Sequence, residues 1–429
     1  MNQPPIITQD TVVFGILMLC LGLVFYTSTS EKPFWKKCYT YIPALLMAYM
    51  LPALFTSAGI IAPEWETEAL GKQHSQVYYI ASRYLLPAAL VLMTLSIDLK
   101  AVFNLGPKAL IMFLTGTAGI VIGGPLAVLL ISLISPETVG GVGPDAVWRG
   151  LATLAGSWIG GGANQAAMLE IYGYNTENYA GMVIVDIIVA NIWMALLLLG
   201  IGKSDKIDRW LKADTSAIEE LKEKVAGYTA KISRIPSLAD LIVILSIAFV
   251  IVGIAHLGAN GISAFLKENI ALVRDQGSAM SSFGSQFFWM ISIATVLGIL
   301  LSFTRLKEYE GAGASKIGSV FIYILVASIG MKMDLGKILD NPGLLAVGLV
   351  WMIIHVLLLV LVAKLIRAPY FFLAIGSKAN VGGAASAPVV AAAFHPSLAT
   401  VGVLLAVFGY VIGTYGAMLT AELMRIVAP

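Results

Sequence analysis

The sequence is short of charge: Asp, Glu, Lys and Arg together make up 12% of its 429 residues, against 58% hydrophobic side chains. That imbalance excludes a soluble fold of this length, because there is too little polar surface to cover so much apolar material. Lipid is the expected solvent. Cysteine is almost absent, with Cys20 inside the first hydrophobic run and Cys38 in a basic loop. Two thiols so placed exclude a disulfide framework and a metal site, and both read as structural. The formal net charge of +2 lies in short loops rather than on one stripe, so nucleic acid is not an expected partner. Met1 to Asp10 lacks a basic leader region and no small-residue cleavage site follows, so the first hydrophobic segment is expected to be retained.

What the chain does have is hydrophobic runs near the roughly 20 residues that span a bilayer as helix. Gly 42 is spread through them, which suits close helix packing in lipid. Runs bounded by charge, Pro or Gly give twelve segments. The first six are Thr11 to Tyr26, Tyr41 to Ile61, Val77 to Ile97, Ala109 to Ser135, a Gly-interrupted run from Ala146 to Tyr172, and Asn178 to Ile201. The second six are Leu238 to Leu257, Phe283 to Phe303, Ile317 to Gly330, Gly343 to Ile366, a second interrupted run from Pro369 to Phe394, and Leu398 to Ile426.

Basic residues place loops on the cytoplasmic side. Lys32, Lys36 and Lys37 put the first loop inside, Glu64, Glu66 and Glu68 against Lys72 put the second outside, and Lys100 and Lys108 return the third inside. If the first interrupted run crossed the membrane, the loop holding Lys203, Lys206, Arg209, Lys212, Lys222, Lys224, Lys231 and Arg234 would face outward. A re-entrant segment keeps that loop inside, and the same logic makes the second interrupted run re-entrant from the cytoplasm.

The halves also align. Ser96-Ile97-Asp98-Leu99-Lys100 resembles Met331-Lys332-Met333-Asp334-Leu335, a Gly/Pro pair follows each, and after one long span come Gly156-Ser157-Trp158-Ile159-Gly160-Gly161-Gly162-Ala163-Asn164-Gln165 and Gly376-Ser377-Lys378-Ala379-Asn380-Val381-Gly382-Gly383-Ala384. The expected fold is an all-α polytopic membrane protein of two inverted repeats, residues 1–201 and 238–429, joined by a cytoplasmic linker, 202–237. Each repeat has about five transmembrane helices and one Gly-rich re-entrant or broken-helix segment.

Broken helices at matching places of inverted halves point to a transporter site near the midplane. Half-helix amino termini at the tips suit a small anion, for which Ser157, Gly161, Gly162, Ser377, Lys378, Asn380, Gly382 and Gly383 are the candidate contacts. Lys378 faces an anion, an acidic side chain or water, or snorkels to the cytoplasmic surface. Asn164, Gln165 and Asp186 are candidate ligands for Na⁺, the first choice of coupling ion, with H⁺ the alternative and no cofactor expected. Asp186 sits inside an apolar span, with Asn191 about 140° round the helix; a pair with Lys378, a cation site and an interhelical hydrogen bond are all open for it. Asp98 and Asp334 read as interfacial anchors, and Arg83, His256 and His355 as packing or cavity contacts.

These motifs resemble those of bacterial membrane proteins grouped as domain of unknown function 819, over nearly the whole chain. More remotely they are similar to glutamate:sodium and citrate:sodium symporters and 2-keto-3-deoxygluconate permeases, whose Gly-rich tips correspond to Gly160, Gly161, Gly162 and to Gly382, Gly383. That resemblance implies an elevator mechanism, a scaffold that forms a homodimer, and a multi-pass place in the bacterial inner membrane. The chain departs from those symporters at Asn164-Gln165 and Lys378, so their substrates do not carry over. The expected function is symport of a small organic anion, a carboxylate, amino acid or peptide derivative. The rival in kind is a cation/proton antiporter working through Asp186. A membrane-embedded enzyme using Ser157 or Ser377 with His355 is disfavoured, since neither serine lies in a Gly-X-Ser-X-Gly elbow.

Overall fold

A computed structural model describes residues 5–42, 44–67, 71–96, 99–216, 218, 221, 234–274, 281–336, 341–395 and 398–429. Its long helices are α1 (Asp10–Ser28), α2 (Pro33–Tyr41) with α3 (Ala44–Ser57), α4 (Val77–Leu95), α5 (Pro107–Ser132), α6 (Val147–Tyr172) and α7 (Tyr179–Ile201). A short α8 (Ser204–Leu211) follows in the linker. Then come α9 (Leu238–Asn269), α10 (Gln286–Ser302), α11 (Ala314–Gly330), α12 (Gly343–Leu365), α13 (Tyr370–Asn380), α14 (Gly383–Phe394) and α15 (Ala399–Val427). Among the described residues 7 of these are long and apolar enough to cross a membrane, or up to 9 with bent pairs counted, and α11 is a shorter apolar helix. The chain is a multi-pass membrane protein.

The helices begin and end where local chemistry directs. Pro33 and Pro107 occupy first helical positions, where a missing N–H costs nothing. At α9 the Ser237 hydroxyl accepts from the Asp240 amide at 3.1 Å, and the Asp240 carboxylate accepts from the Ser237 amide at 2.9 Å. Within α4, Pro87 has no N–H to give to the Arg83 carbonyl, and the preceding turn, Ala81–Leu85, widens to a π-helix. The freed Arg83 carbonyl bonds His256 Nε2 at 2.9 Å.

Three expectations need correction. The run at Tyr41 to Ile61 forms a helix shorter than expected, α3, and the basic loop before it is itself helical, α2, set at 92° to α3. Helix α9 extends three turns past Leu257, through Gly258, Asn260 and Gly261, because its buried Ala259 and Ser263 pack inward and the Ser263 hydroxyl donates to the Gly284 carbonyl at 2.6 Å. At about 1.5 Å per residue its 32 residues reach about 48 Å, well beyond the roughly 30 Å hydrocarbon core. The acidic second loop holds a small antiparallel hairpin, β1 (Glu64–Thr67) with β2 (Gly71–His74); Trp65 and Thr67 favour a strand, but four residues are too short a run to single out and β2 has no such residue. Asp98 lies outside the described residues.

The helices sort into two bundles. Helices α5, α6, α7, α12, α13, α14 and α15 pack chiefly on one another, as do α1, α3, α4, α9, α10 and α11. In each half, therefore, the first three spans join one bundle and the last three segments join the other. Glycine brings the helices together: a Cβ at Gly123 of α5 would lie 2.7 Å from the Trp351 ring of α12, and one at Gly330 of α11 would meet the backbone of Tyr49 on α3. An ion pair ties the bundles, Arg83 of α4 to Glu170 of α6 at 2.6 Å.

Linker helix α8 docks beneath α13. The Tyr370 amide, at the first position of α13, donates to Asp208 Oδ1 at 2.7 Å, and the Tyr370 hydroxyl donates to the Leu197 carbonyl at 2.8 Å. Asp214 pairs with Lys108 at 2.8 Å, and its carboxyl is held down to about 2 by that ammonium and by Ser216. A depressed carboxyl contributes above its unfolded pKa and loses that contribution as pH falls through about 2, so this link persists across physiological pH. Asp208 caps α13 in place of the side chain that Pro369 cannot supply. Replacement Asp208→Ala is expected to cost the first turn of α13 about 1 kcal/mol, read as faster hydrogen exchange at the Tyr370 amide; an unchanged rate would show that the carboxylate does not cap this helix.

Candidate functional site

The two Gly-interrupted runs are helical hairpins. Helix α6 breaks at Gly161, where φ is 73° and ψ −171°, a conformation essentially confined to glycine. Beyond it the chain returns: the Arg149 guanidinium donates to the Tyr172 carbonyl, and the Trp148 and Tyr172 rings lie 5.4 Å apart. A Cβ at Gly156 would lie 2.6 Å from the Asn164 carbonyl oxygen, so only glycine lets the legs touch. Helices α13 and α14 form the second hairpin around Gly382 and Gly383, with φ of 117° and 55°. Its open end is closed by the Phe371 and Phe394 rings at 5.3 Å.

The hairpins open on opposite faces. The base of the second lies by Lys108 and α8 at the start of α5, whereas the base of the first lies by Gly140 and Glu422, near the ends of α5 and α15. Their tips meet at the middle of α15, where a Cβ at Gly409 would lie 2.7 Å from the Ile159 carbonyl and 3.7 Å from that of Ala379.

Each tip is held by an asparagine in the same way. Asn164 donates to the Gly160 carbonyl at 2.9 Å and accepts from Thr414 of α15 at 2.5 Å. Asn380 donates to the Gly376 carbonyl at 2.8 Å and the Phe113 carbonyl at 2.9 Å, and accepts from Thr117 of α5 at 2.8 Å. Both side chains are fully buried, and these bonds satisfy carbonyls beside the breaks that the helices leave open. Asn380 uses both its amide hydrogens there.

Asp186, on α7, meets the first hairpin below its tip. Its carboxylate accepts from the Ser157 hydroxyl at 2.7 Å, the Trp158 indole at 2.7 Å and the Gln165 amide at 3.0 Å. Ser157, Gln165 and Asp186 are thus brought together, while Asn164 turns toward α15. The Gln165 carbonyl oxygen keeps both lone pairs among the described residues. At the second hairpin Ser377 accepts from the Trp193 indole at 2.7 Å and lies 2.8 Å from His355 Nε2. Because His355 Nδ1 faces the Gly116 carbonyl at 3.0 Å, the neutral ring places its proton on Nδ1 and accepts the Ser377 proton at Nε2. Every hydrogen-bonding atom of that buried chain is then engaged.

Lys378 is different. It is 2% exposed and among the described residues its ammonium makes one hydrogen bond, to the Ala190 carbonyl of α7 at 3.2 Å. The ammonium has three donors. Next to it a Cβ at Gly382 would fall 2.9 Å from Nζ, and the buried Ser386 hydroxyl has no partner among the described residues. Helix α14 starts here without a side-chain cap, so its free amides and positive dipole end add to the same spot. Asp186 and Lys378 attract across the tips, and among the described residues they make no direct ion pair. Snorkelling is excluded, because Lys378 lies near the buried end of α13. His355 is the packing contact the sequence suggested. Ser386, Trp193, Thr117 and Thr414 are site residues that sequence reasoning missed: Ser386 is a lone hydroxyl in an apolar helix and the others are scattered among further polar residues of theirs, signals too common to single out.

Nothing in this geometry resembles a metal cluster: among the described residues no three His, Cys, Asp or Glu side chains converge. A family model described as "Protein of unknown function (DUF819)" matches residues 15–427, and the chain belongs to that family. The uncharacterised membrane protein YjcL of Bacillus subtilis (strain 168) is similar, 26% identical over 373 residues that cover 84% of this chain and 85% of the relative.

The tip geometry separates two neighbouring glycines. Gly161→Ala is expected to destabilise by about 1–3 kcal/mol through backbone strain alone. Gly162→Ala, whose Cβ would meet only Ile322 at 3.7 Å, is expected to be near neutral. Denaturation of both purified variants checks this; equal losses would contradict the assigned turn.

Proposed function

We propose that this member of the family is a secondary active transporter that moves a small organic anion, a carboxylate, amino acid or peptide derivative, in symport with Na⁺. The observation that carries the reading is Lys378: a buried ammonium with unused donors, beside an unpartnered hydroxyl and an uncapped helix start, at the meeting point of two hairpins. Such a group is costly in lipid unless an anion visits it. One carboxylate oxygen facing Lys378 and Ser386, and the other facing the Gly382 and Gly383 amides, would satisfy all of them at once. Ser377 and Asn380 are engaged within the protein and act by shaping the tip; Ser157, Gly161 and Gly162 do the same opposite.

Na⁺ fits the first tip, where the Gln165 carbonyl oxygen and the Asp186 carboxylate offer hard oxygen ligands. Asn164, locked to Thr414, supports that site through the backbone. A cation beside Asp186 and an anion beside Lys378 would each neutralise a buried charge that its opposite number only partly compensates. The H⁺-coupled alternative and the cation/proton antiporter both work through Asp186 without Gln165 as a ligand.

The bundles support an elevator. The hairpins belong to one, and the other supplies a frame on which a second copy would dimerise. The halves, 1–201 and 238–429, then act as inverted repeats, each giving three spans to the frame and three segments to the moving part. The basic linker keeps the second hairpin's open end cytoplasmic. A hydrolase built on Ser377 and His355 has the right contact but neither exposure nor an acidic partner, and we set it aside.

Uptake into proteoliposomes tests the reading. Ser386→Ala removes an unsatisfied buried hydroxyl and is expected to raise stability by about 1 kcal/mol while weakening solute affinity. Lys378→Met is expected to abolish uptake. An imposed Na⁺ gradient should drive accumulation; uptake that ignores Na⁺ and follows H⁺ would contradict Na⁺ coupling, and full uptake by Lys378→Met would contradict the anion site.

A further inference from the structure

A cavity lies far from the tips, at the open end of the first hairpin, with a volume of about 420 Å³. It is the cleft between the two bundles. Trp148, Arg149, Tyr172, Glu422 and Arg425 line it from the hairpin bundle, and Lys267, Arg274 and Ser285 from the frame. Four cations therefore face one carboxylate.

The carboxylate does not balance them. Glu422 pairs with Arg425 through Nε at 2.9 Å. The Arg149 guanidinium donates to the Tyr172 carbonyl, its Nε is buried without a partner among the described residues, and Arg149 is repelled by Arg425 while it shares the attraction of the single Glu422 carboxylate with it. Lys267 and Arg274 are exposed and make no ion pair with any described residue; Glu268 is not in the lining, and Asp275 lies outside the described residues.

We propose that this cleft is a binding site for a multivalent oxyanion, held by guanidinium forks from the hairpin bundle and by Lys267 and Arg274 from the frame. Arginine forks match the geometry of phosphate and carboxylate oxygens, and several cations at short range repel until an anion enters. The cavity falls within the range of small-molecule sites. The occupant touches both bundles, so it ties them together in the present arrangement. The site is separate from the tips, and it stands whether or not the chain transports an organic anion. A free phosphate compound and the phosphate of an anionic lipid headgroup share the chemistry.

The full-length protein, purified in an uncharged detergent, is titrated with inorganic phosphate at constant ionic strength, and its melting temperature is followed by tryptophan fluorescence. The same melt is run in nanodiscs of phosphatidylcholine with and without phosphatidylglycerol. Phosphate is expected to raise the melting temperature, and Lys267→Ala/Arg274→Ala, which changes only exposed side chains, is expected to weaken the apparent Kd at least tenfold. The control Lys203→Ala/Lys206→Ala, on the opposite face, should respond as the parent does. Stabilisation by phosphatidylglycerol alone, lost in the Lys267/Arg274 variant, assigns the site to a lipid headgroup. Absence of stabilisation by either anion, or an unchanged response in that variant, overturns the proposal.

Discussion

A backbone that stops being helical inside a membrane has to find partners for its amides and carbonyls within the protein, because lipid offers none. This chain does so twice. Asn164 and Asn380 each return to the carbonyl four residues earlier and anchor to a threonine on a neighbouring span, Thr414 and Thr117. Glycines at Gly409 and Gly413 of α15 then let both tips approach one helix at backbone distance. Remove these contacts and the breaks at Gly161 and Gly382 have no reason to persist, so the rest of the architecture depends on them.

With the tips fixed, charge becomes the distinguishing feature. Asp186 is surrounded by donors, while Lys378 keeps donors free. The two attract without touching, which leaves both open to a mobile ion of the opposite sign. A sealed salt bridge would have no use for a solute. The bundle division suits the proposed elevator, since few contacts cross it and the Arg83–Glu170 pair is a discrete link that such sliding would break.

Much of this was legible in the sequence. Hydropathy located nearly every span, and the placement of basic residues alone required the glycine-rich runs to turn back. Composition could not locate the bend between α2 and α3, the extension of α9 or the small β-hairpin, since each is set by tertiary neighbours rather than by period or propensity. The site was half visible. Asp186 and Lys378 stand out as charges in apolar helices, whereas Ser386 matters only because Gly382 folds back over it, and Arg149, Lys267, Arg274 and Arg425 converge from distant segments. The asparagines were noticed for the right spacing; their bonds to Thr414 and Thr117 needed the fold.

The central claim is that the space beside Lys378 and Ser386 opens to each side of the membrane in turn. It is tested most directly by placing a single thiol there, Ser386→Cys, with Cys20 and Cys38 replaced by alanine, and labelling it with a membrane-impermeant reagent from either side of oriented vesicles. Alternating access predicts labelling from both sides, with the favoured side changing as the ion gradient is reversed. Labelling from one side only, whatever the gradient, would contradict the account.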